Sequence, residues 1–492
     1  MATLRVDDRS LLDWVNRATF SNPFSEERER ADRVIAAGHE VQQDGAAMTP
    51  IRDVEERVSA CLARVLPAGR VLSEFAQADQ ERLEHALLFH VFHASVPELD
   101  ALITRQTGNP KPIGFPAGAE ILGALTSRGV SPERARRALA LFYQMRRAFV
   151  FISSGLVGAA PSLRQLRESL WAHVFTHDVR RYERFLWNRM EDFSTLLEGE
   201  TGSGKGAAAA ALGRSGFIAW DDARGRFEAS YEALFIAVNL SELSPALVES
   251  ELFGHRKGAF TGAVDSHEGL FARCPPHGVV FLDELAEVSP ALQVKLLRVL
   301  QERSFTPVGD RTPQRFVGRV VAATNAEIDA LRAEGRFRDD LFYRLCSDRV
   351  RVPSLRARLA EDPDELSRLV DTVITKIVGA ATPALTSEVS TAIARDLPSD
   401  YRWPGNVREL EQCVRRVLLT GAAGPLSPTR ADVPNVPEWL TAAAAGSLDA
   451  RGLLAAYCGM LRARLGSFEE VARVTGLDRR TVKKYVDAAT RE

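Results

Sequence analysis

The chain has 492 residues, 45% of them hydrophobic and 26% charged, with a formal net charge of −2. That length suits about three domains at ~100–200 residues each, and the composition excludes a disordered chain. A near-neutral balance also excludes a global basic field, so any nucleic-acid contact must come from a local patch.

Five cysteines (Cys61, Cys274, Cys346, Cys413, Cys458) lie far apart without CxxC spacing. This argues against a disulfide framework or a cysteine-ligated zinc and fits a reducing compartment. The opening MATLRVDDRS has no signal-peptide apolar region, and the uncharged run beginning at Ala148 is too short and too rich in Ser and Gly to span a bilayer. The expectation is a cytoplasmic protein with no membrane contact.

Residues 1–170 read as a mostly helical domain. The runs ERLEHALLFHVFHASVPELDALI and SPERARRALALFYQMRRAF carry apolar residues at helical spacing, and Ser131-Pro132-Glu133 opens the second with a cap and a proline at the first helical position. TGNPKPIGFPAG between them is a loop. His85, His90, His93, His173 and His177 include pairs at helical spacing that could hold a metal, although histidines at a core edge are the commoner reason for such pairs.

From about residue 171 to 352 short apolar runs (FSTLLEG, LFIAVNL, GVVFLDE, VGRVVAATN) alternate with helical segments, the pattern of an α/β parallel sheet. The first run ends in Gly199-Glu200-Thr201-Gly202-Ser203-Gly204-Lys205-Gly206 and leads into an alanine-rich helix. A glycine-rich turn from strand to helix turns backbone N–H groups toward phosphate oxygens, and Lys205 would reach the β and γ phosphates. Gly206 stands where the general pattern has a hydroxyl that helps to hold Mg²⁺.

In GHRKGAFTGAVDSHEG, Phe260 and Thr261 sit between Gly258 and Gly262, an apolar ring on a flexible loop. Downstream, Asp283 and Glu284 end an apolar strand. The first carboxylate is placed to hold Mg²⁺ and the second to orient or activate a water. Asn239 and Asn325 are polar tips on neighbouring apolar strands. Residues 353–421 turn helical again, and 422–446 is a Pro- and Ala-rich linker. The tail, 447–492, contains SFEEVARVTGLDRRTVKKYV, which reads helix, turn, helix. Gly476 marks its turn, Asp478 caps the second helix, and Val471, Val474, Leu477 and Val482 are expected to pack the pair. Arg479, Arg480, Thr481, Lys483, Lys484 and Tyr485 are then expected to face DNA.

The motifs GETGSGKG, ESELFGHRKGAFTGA, GVVFLDELAEV, GRFRDDLFYRL and RWPGNVREL together resemble, in order and spacing, the sigma-54-dependent transcriptional activators, a branch of the AAA+ ATPases. The resemblance covers roughly residues 190–421. It implies an AAA+ P-loop sheet with a helical lid, ATP and Mg²⁺ as cofactors, and ATP hydrolysis coupled to remodelling of sigma-54 RNA polymerase from upstream DNA. Gly258, Ala259, Phe260, Thr261, Gly262 and Ala263 would then grip sigma-54. Asn239 would be the switch asparagine holding Glu284, Asn325 the first sensor, and Arg408 the second sensor on the lid. Arg338 and Arg344 would be arginine fingers acting on a neighbouring subunit, which implies a ring, a hexamer by analogy.

This chain departs from the family at Gly206, where a glutamate is usual, and in a longer segment from Arg214 to Ala233. Gly206 keeps open a nucleotide-switched DNA-binding regulator without efficient turnover; an AAA+ remodeller of another client is the second alternative. By position alone, residues 1–170 are expected to sense a ligand or partner and restrain the ring. No receiver-domain pattern of acidic residues and a lysine is present there.

Overall fold

The computed structural model describes residues 2–39, 49–424, 438–444 and 446–489. Residues 1–422 form one compact unit and residues 423–492 a second.

In the first unit the chain begins as helices Val6–Phe20, Glu26–Ala37, Ile51–Val65, Gln77–Ala94, Val96–Gln106, Ala117–Thr126 and Pro132–Gly155. Local chemistry explains their ends. Ser25 and Ser131 accept N-cap hydrogen bonds from Arg28 and Arg134, and Gly38 closes its helix at φ 78°. The apolar run over 81–103, one stretch in the sequence, breaks at Ser95 into two helices bent by 52°. Pro97 has no N–H to continue the ladder, and the Ser95 hydroxyl turns back to donate to the Val91 carbonyl at 2.6 Å. Among the described residues, no single helix is long and apolar enough to cross a membrane.

These helices enclose a core that includes Leu12, Ile35, Val58, Leu83, Leu99, Leu125, Leu139 and Tyr143. Ile218, Trp220, Phe227, Tyr231 and Leu234 join the same core. They come from the long segment after the phosphate-loop helix, which folds as a small hairpin (Trp220–Asp221 with Arg226–Phe227) and a 3₁₀ turn, Tyr231–Leu234. The segment that looks like an over-long connection is therefore a docking element.

Helix Pro161–Phe175 packs under the sheet, its Leu163, Leu166, Leu170 and Trp171 in a second core with Leu197, Phe281 and Val321. The domain boundary expected at residue 170 falls inside this helix. The five-stranded parallel sheet comprises β1 (Thr195–Glu198), β2 (Phe235–Asn239), β3 (Val279–Asp283), β4 (Arg319–Thr324) and β5 (Asp348–Arg351). The spatial order is β2-β3-β4-β1-β5. β4 is buried along all six residues, as a central strand covered on both faces must be. At its start the buried Arg319 guanidinium donates to the carbonyls of Phe193 and His173 and to the Thr195 hydroxyl, locking β1 and β4 in place. The register pairs Glu198 with Thr324 and Asn239 with Asp283, so the polar strand tips share one edge. Helices Leu355–Glu361, Glu365–Val378, Pro383–Asp396 and Asn406–Thr420 form the lid.

In the second unit, helices Ala450–Leu465, Phe468–Thr475 and Arg479–Ala489 pack around Cys458, Leu461, Val471 and Val482. Helix Glu438–Ala444 lies in the stretch read as a linker, whose residues 425–437 and 445 fall outside the described residues.

Candidate functional site

β1 runs into the phosphate loop and then into helix Lys205–Gly213. Two glycines there have no substitute. Gly202 and Gly204 stand at φ +76° and +113°, and a Cβ on Gly202 would lie 2.2 Å from the Gly405 carbonyl. The loop thus sits against the lid, where Val407 N–H donates to the Gly202 carbonyl at 3.1 Å. Lys205 donates to the Gly199 and Glu200 carbonyls at 2.9 and 3.2 Å. Burial lowers its ammonium below the ordinary lysine value, while Glu284 and Asp283 pull the other way. The Ser203 hydroxyl is buried in the loop without a hydrogen-bond partner among the described residues.

A cavity of about 360 Å³ opens over this loop. Thr201 to Gly206, Asn239, Asp283, Glu284 and Arg408 line it together. Asn325 joins them through the loop, its amide donating to the Thr201 hydroxyl at 2.9 Å. Gly199 and Glu200 lie on the other side, where Glu200 is held by Arg356 at 3.2 Å and by Asn406 at 3.1 Å. Glu284 occupies the left-handed region at φ 54°, ψ 46°, and its N–H donates to the Asp283 carboxylate at 3.0 Å. A non-glycine residue held in that region stores about 1–3 kcal/mol.

The residues fit a magnesium nucleotide. Glycine backbones cradle the loop, Ser203 offers an unpartnered buried hydroxyl, Lys205 supplies the cation and Asp283 the oxygen donor that Mg²⁺ prefers.

Other expected residues sit differently. Asn239 shares the cavity lining with Glu284, but its hydrogen bonds go elsewhere: its amide donates to Glu242 at 2.8 Å and its carbonyl oxygen accepts from the N–H and hydroxyl of Ser241. Ser241 and Glu242 follow the strand immediately, so the turn captures the amide locally. Arg338 and Arg344 lie outside the cavity lining, at the start and end of helix Asp339–Leu345. Arg338 makes a two-pronged pair with Asp340, while Arg344 is exposed with no ion-pair partner among the described residues. No group of three or more metal-ligating side chains occurs among the described residues, and burial holds His85, His90, His93 and His173 below the ordinary histidine value.

Sequence reasoning missed two contributors. Asn406, fully buried at φ 52°, donates to the Glu200 carboxylate and the Thr201 carbonyl, and its own carbonyl oxygen accepts from Leu355 N–H at 2.7 Å. Its place in RWPGNVREL was the available signal. Gly155, Leu156 and Val157 line the cavity together with Leu369 and Val373 of the lid. Their run, SGLVGAAP, resembles any loop.

The 258–263 loop forms its own surface. Gly258 and Gly262 stand at φ +80° and +101°, and Gly258 N–H donates to the Ala263 carbonyl at 2.8 Å. Ala263 is buried and Thr261 exposed. Phe260 is 38% exposed, its ring meeting the His255 edge with centroids 4.9 Å apart. His255 is anchored by Ser250 at 2.7 Å.

In the second unit, Gly476 ends one helix at φ 70° and Asp478 caps the next, accepting from Arg480 and Thr481 N–H at 2.9 and 3.0 Å. Arg480, Lys483 and Lys484 are exposed. The tail differs from the expected arrangement at four residues. Val474 is 51% exposed and outside the packed cluster, whereas Tyr485 is half-buried and packs on that core. The Thr481 hydroxyl is committed to Asp478, and Arg479 pairs with Glu469 at 2.8 Å. A third helix, Ala450–Leu465, supplies the half of the core that Val474 was expected to fill.

Residues 177–351 match the family described as the Sigma-54 interaction domain, and residues 361–433 the AAA+ ATPase lid domain. The chain is 33% identical over 355 residues to the C4-dicarboxylate transport transcriptional regulatory protein DctD of Rhizobium meliloti, covering 71% of this chain and 68% of that protein. It is 37% identical over 295 residues to the Nif-specific regulatory protein of Azotobacter vinelandii, covering 57% and 50%. Among solved structures, NtrX from Brucella abortus aligns over 76% of this chain and 80% of that one, at 22% identity and a TM-score of 0.40. The chain belongs to the sigma-54-dependent transcriptional activators, a branch of the AAA+ ATPases. It spans about half the length of the Nif-specific relative.

Proposed function

We propose that the protein hydrolyses ATP to remodel a sigma-54 RNA polymerase complex while bound to upstream DNA. The observation that carries this reading is the convergence of Lys205, Asp283, Glu284 and Arg408 on one cavity, in a chain that also presents Phe260 and Thr261 on a separate glycine-flanked loop. Lys205 and the loop N–H groups bind the phosphates. Glu284, held by the turn after β3, orients the attacking water, and Arg408 closes the cavity from the lid. Asp283 would hold Mg²⁺, which when bound neutralises charge on the phosphate oxygens.

Arg344, exposed and without an ion-pair partner among the described residues, is available to a neighbouring subunit in a ring, by family analogy a hexamer. Arg338 must first leave Asp340. Arg480, Lys483 and Lys484 meet DNA phosphates and base edges. The helices before residue 155 receive the signal. Gly206 favours one second reading, a nucleotide-switched DNA-binding regulator with little turnover.

The test is capture of sigma-54 by the full chain with a transition-state nucleotide analogue, beside ATP turnover. Capture is expected for wild type, loss of capture with preserved turnover for Phe260→Ala, and loss of turnover for Lys205→Ala and Glu284→Gln. Turnover without capture would assign the loop to another client. Nucleotide binding without turnover would establish the switch.

A further inference from the structure

Between helices Pro132–Gly155 and Pro161–Phe175 runs a strap, residues 156–160, in which three consecutive carbonyls and one N–H are engaged by charged side chains. Arg167 donates to the carbonyls of Leu156 and Gly158, and Arg358 to that of Val157. Glu365 accepts from Ala159 N–H at 2.8 Å. Arg358 and Glu365 pair with each other through two hydrogen bonds, their side chains only 4% and 0% exposed. Gly158, at φ +134°, is what lets the strap come so close: a Cβ there would lie 2.0 Å from the Glu365 carboxylate and 2.6 Å from the Arg358 guanidinium.

A buried ion pair of this kind adds little net stability, because desolvating two charges offsets most of their attraction. Its effect here is geometric. Leu156 and Val157 form one wall of the nucleotide cavity, and Leu369, Thr372 and Val373 another. The second wall belongs to helix Glu365–Val378, whose first residue is Glu365 itself. One carboxylate therefore joins both walls. Leu156, Val157, Leu369 and Val373 give this part of the cavity apolar surface, with Arg358, Thr372, Lys376 and Glu411 at its polar margin. That surface suits the flat face of a base rather than phosphates, which belong with Lys205 and the glycine backbones.

We infer that Arg358 and Glu365 are positioning residues for the nucleotide base. They set the spacing between strap and lid helix, and with it the affinity for the base, without acting on the phosphate loop. The inference rests on the nucleotide reading above.

The test compares two ligands on the full chain by calorimetry, each with Mg²⁺: ATP, and inorganic tripolyphosphate, which has the phosphates and no base. In the double variant Arg358→Met/Glu365→Leu, which removes both charges together, ATP is expected to bind about tenfold more weakly. Tripolyphosphate should bind as in wild type. Arg358→Lys keeps a charge opposite Glu365 and one donor for Val157, and is expected to lose about three- to fivefold for ATP alone; it carries the comparison should the double variant not fold. Equal losses for both ligands, or no loss for either, would overturn the assignment. A wild-type chain that binds neither ligand would overturn the nucleotide reading itself, and the assignment with it.

Discussion

Gly206 occupies the second position of the phosphate-loop helix, exposed to solvent, and a Cβ built on it meets nothing within 4 Å. Serine there costs no space, recovers roughly 0.5 kcal/mol of helix propensity, and supplies the hydroxyl that phosphate loops use toward Mg²⁺. Gly206→Ser is therefore expected to lower several-fold the Mg²⁺ concentration that half-saturates ATP turnover. An unchanged Mg²⁺ dependence would leave the metal to Asp283 alone. Glu284 makes the opposite exchange, function held at the expense of strain. Replacing it by glycine should raise stability by about 1 kcal/mol by relieving the left-handed backbone while abolishing phosphate release, read by thermal melting and a turnover assay. A melting temperature that falls would mean that the side chain stabilises the turn by more than its backbone costs.

Helix Gln77–Ala94 carries His85, His90 and His93, each held below the ordinary value by burial, and His93 down to about 3. Arg28, Arg146 and His90 add to the His93 shift, and Glu55 stands 3.5 Å from it. Between pH 6.5 and about 3 the unfolded chain takes up a proton at this position that the folded chain refuses, so stability is full above 6.5 and falls as pH drops through that window. His93→Gln should flatten the fall, visible as a smaller loss of melting temperature between pH 7.5 and 5.5. Equal losses in both chains would mean that this burial does not govern the acid response. The same helix marks where sequence reading reaches its limit. Its periodicity announces a helix, and the phosphate loop announces itself through spacing that few other local structures need. Val474 and Tyr485 depart from the two-helix pattern because helix Ala450–Leu465 helps to decide which face of the tail is buried, and the periodicity of the last two helices does not show that contact. The partners of Asn239 are not legible in the sequence, because a strand-tip amide bonds whatever its turn presents, here Ser241 and Glu242.

The N-terminal helices and the ATPase have no clean boundary between them. Helix Pro132–Gly155 contributes Leu139 and Tyr143 to the first core and Ile152 to the second. Its fully buried Arg147 donates to the carbonyls of Arg214 and Gly216, just past the phosphate-loop helix. Beyond that point the hairpin inserts Trp220 and Phe227, and Tyr231 donates to the Ile103 carbonyl at 2.8 Å. A cut at residue 170 would remove the strap and most of helix Pro161–Phe175, so loss of activity after it says nothing of regulation. A cut before Pro132 spares the nucleotide cavity but strips the cover from Trp220, Phe227 and Tyr231. A contiguous aromatic patch of that kind drives aggregation. The shortened chain is expected to be insoluble, and solubility to return when Trp220, Phe227 and Tyr231 are also replaced by polar residues, measured as monodisperse yield by gel filtration. Solubility without those replacements would mean that the docking segment refolds onto the sheet and that the helices before residue 132 are dispensable to it. In the expected case, any displacement of those helices reaches the phosphate-loop helix through the segment that follows it.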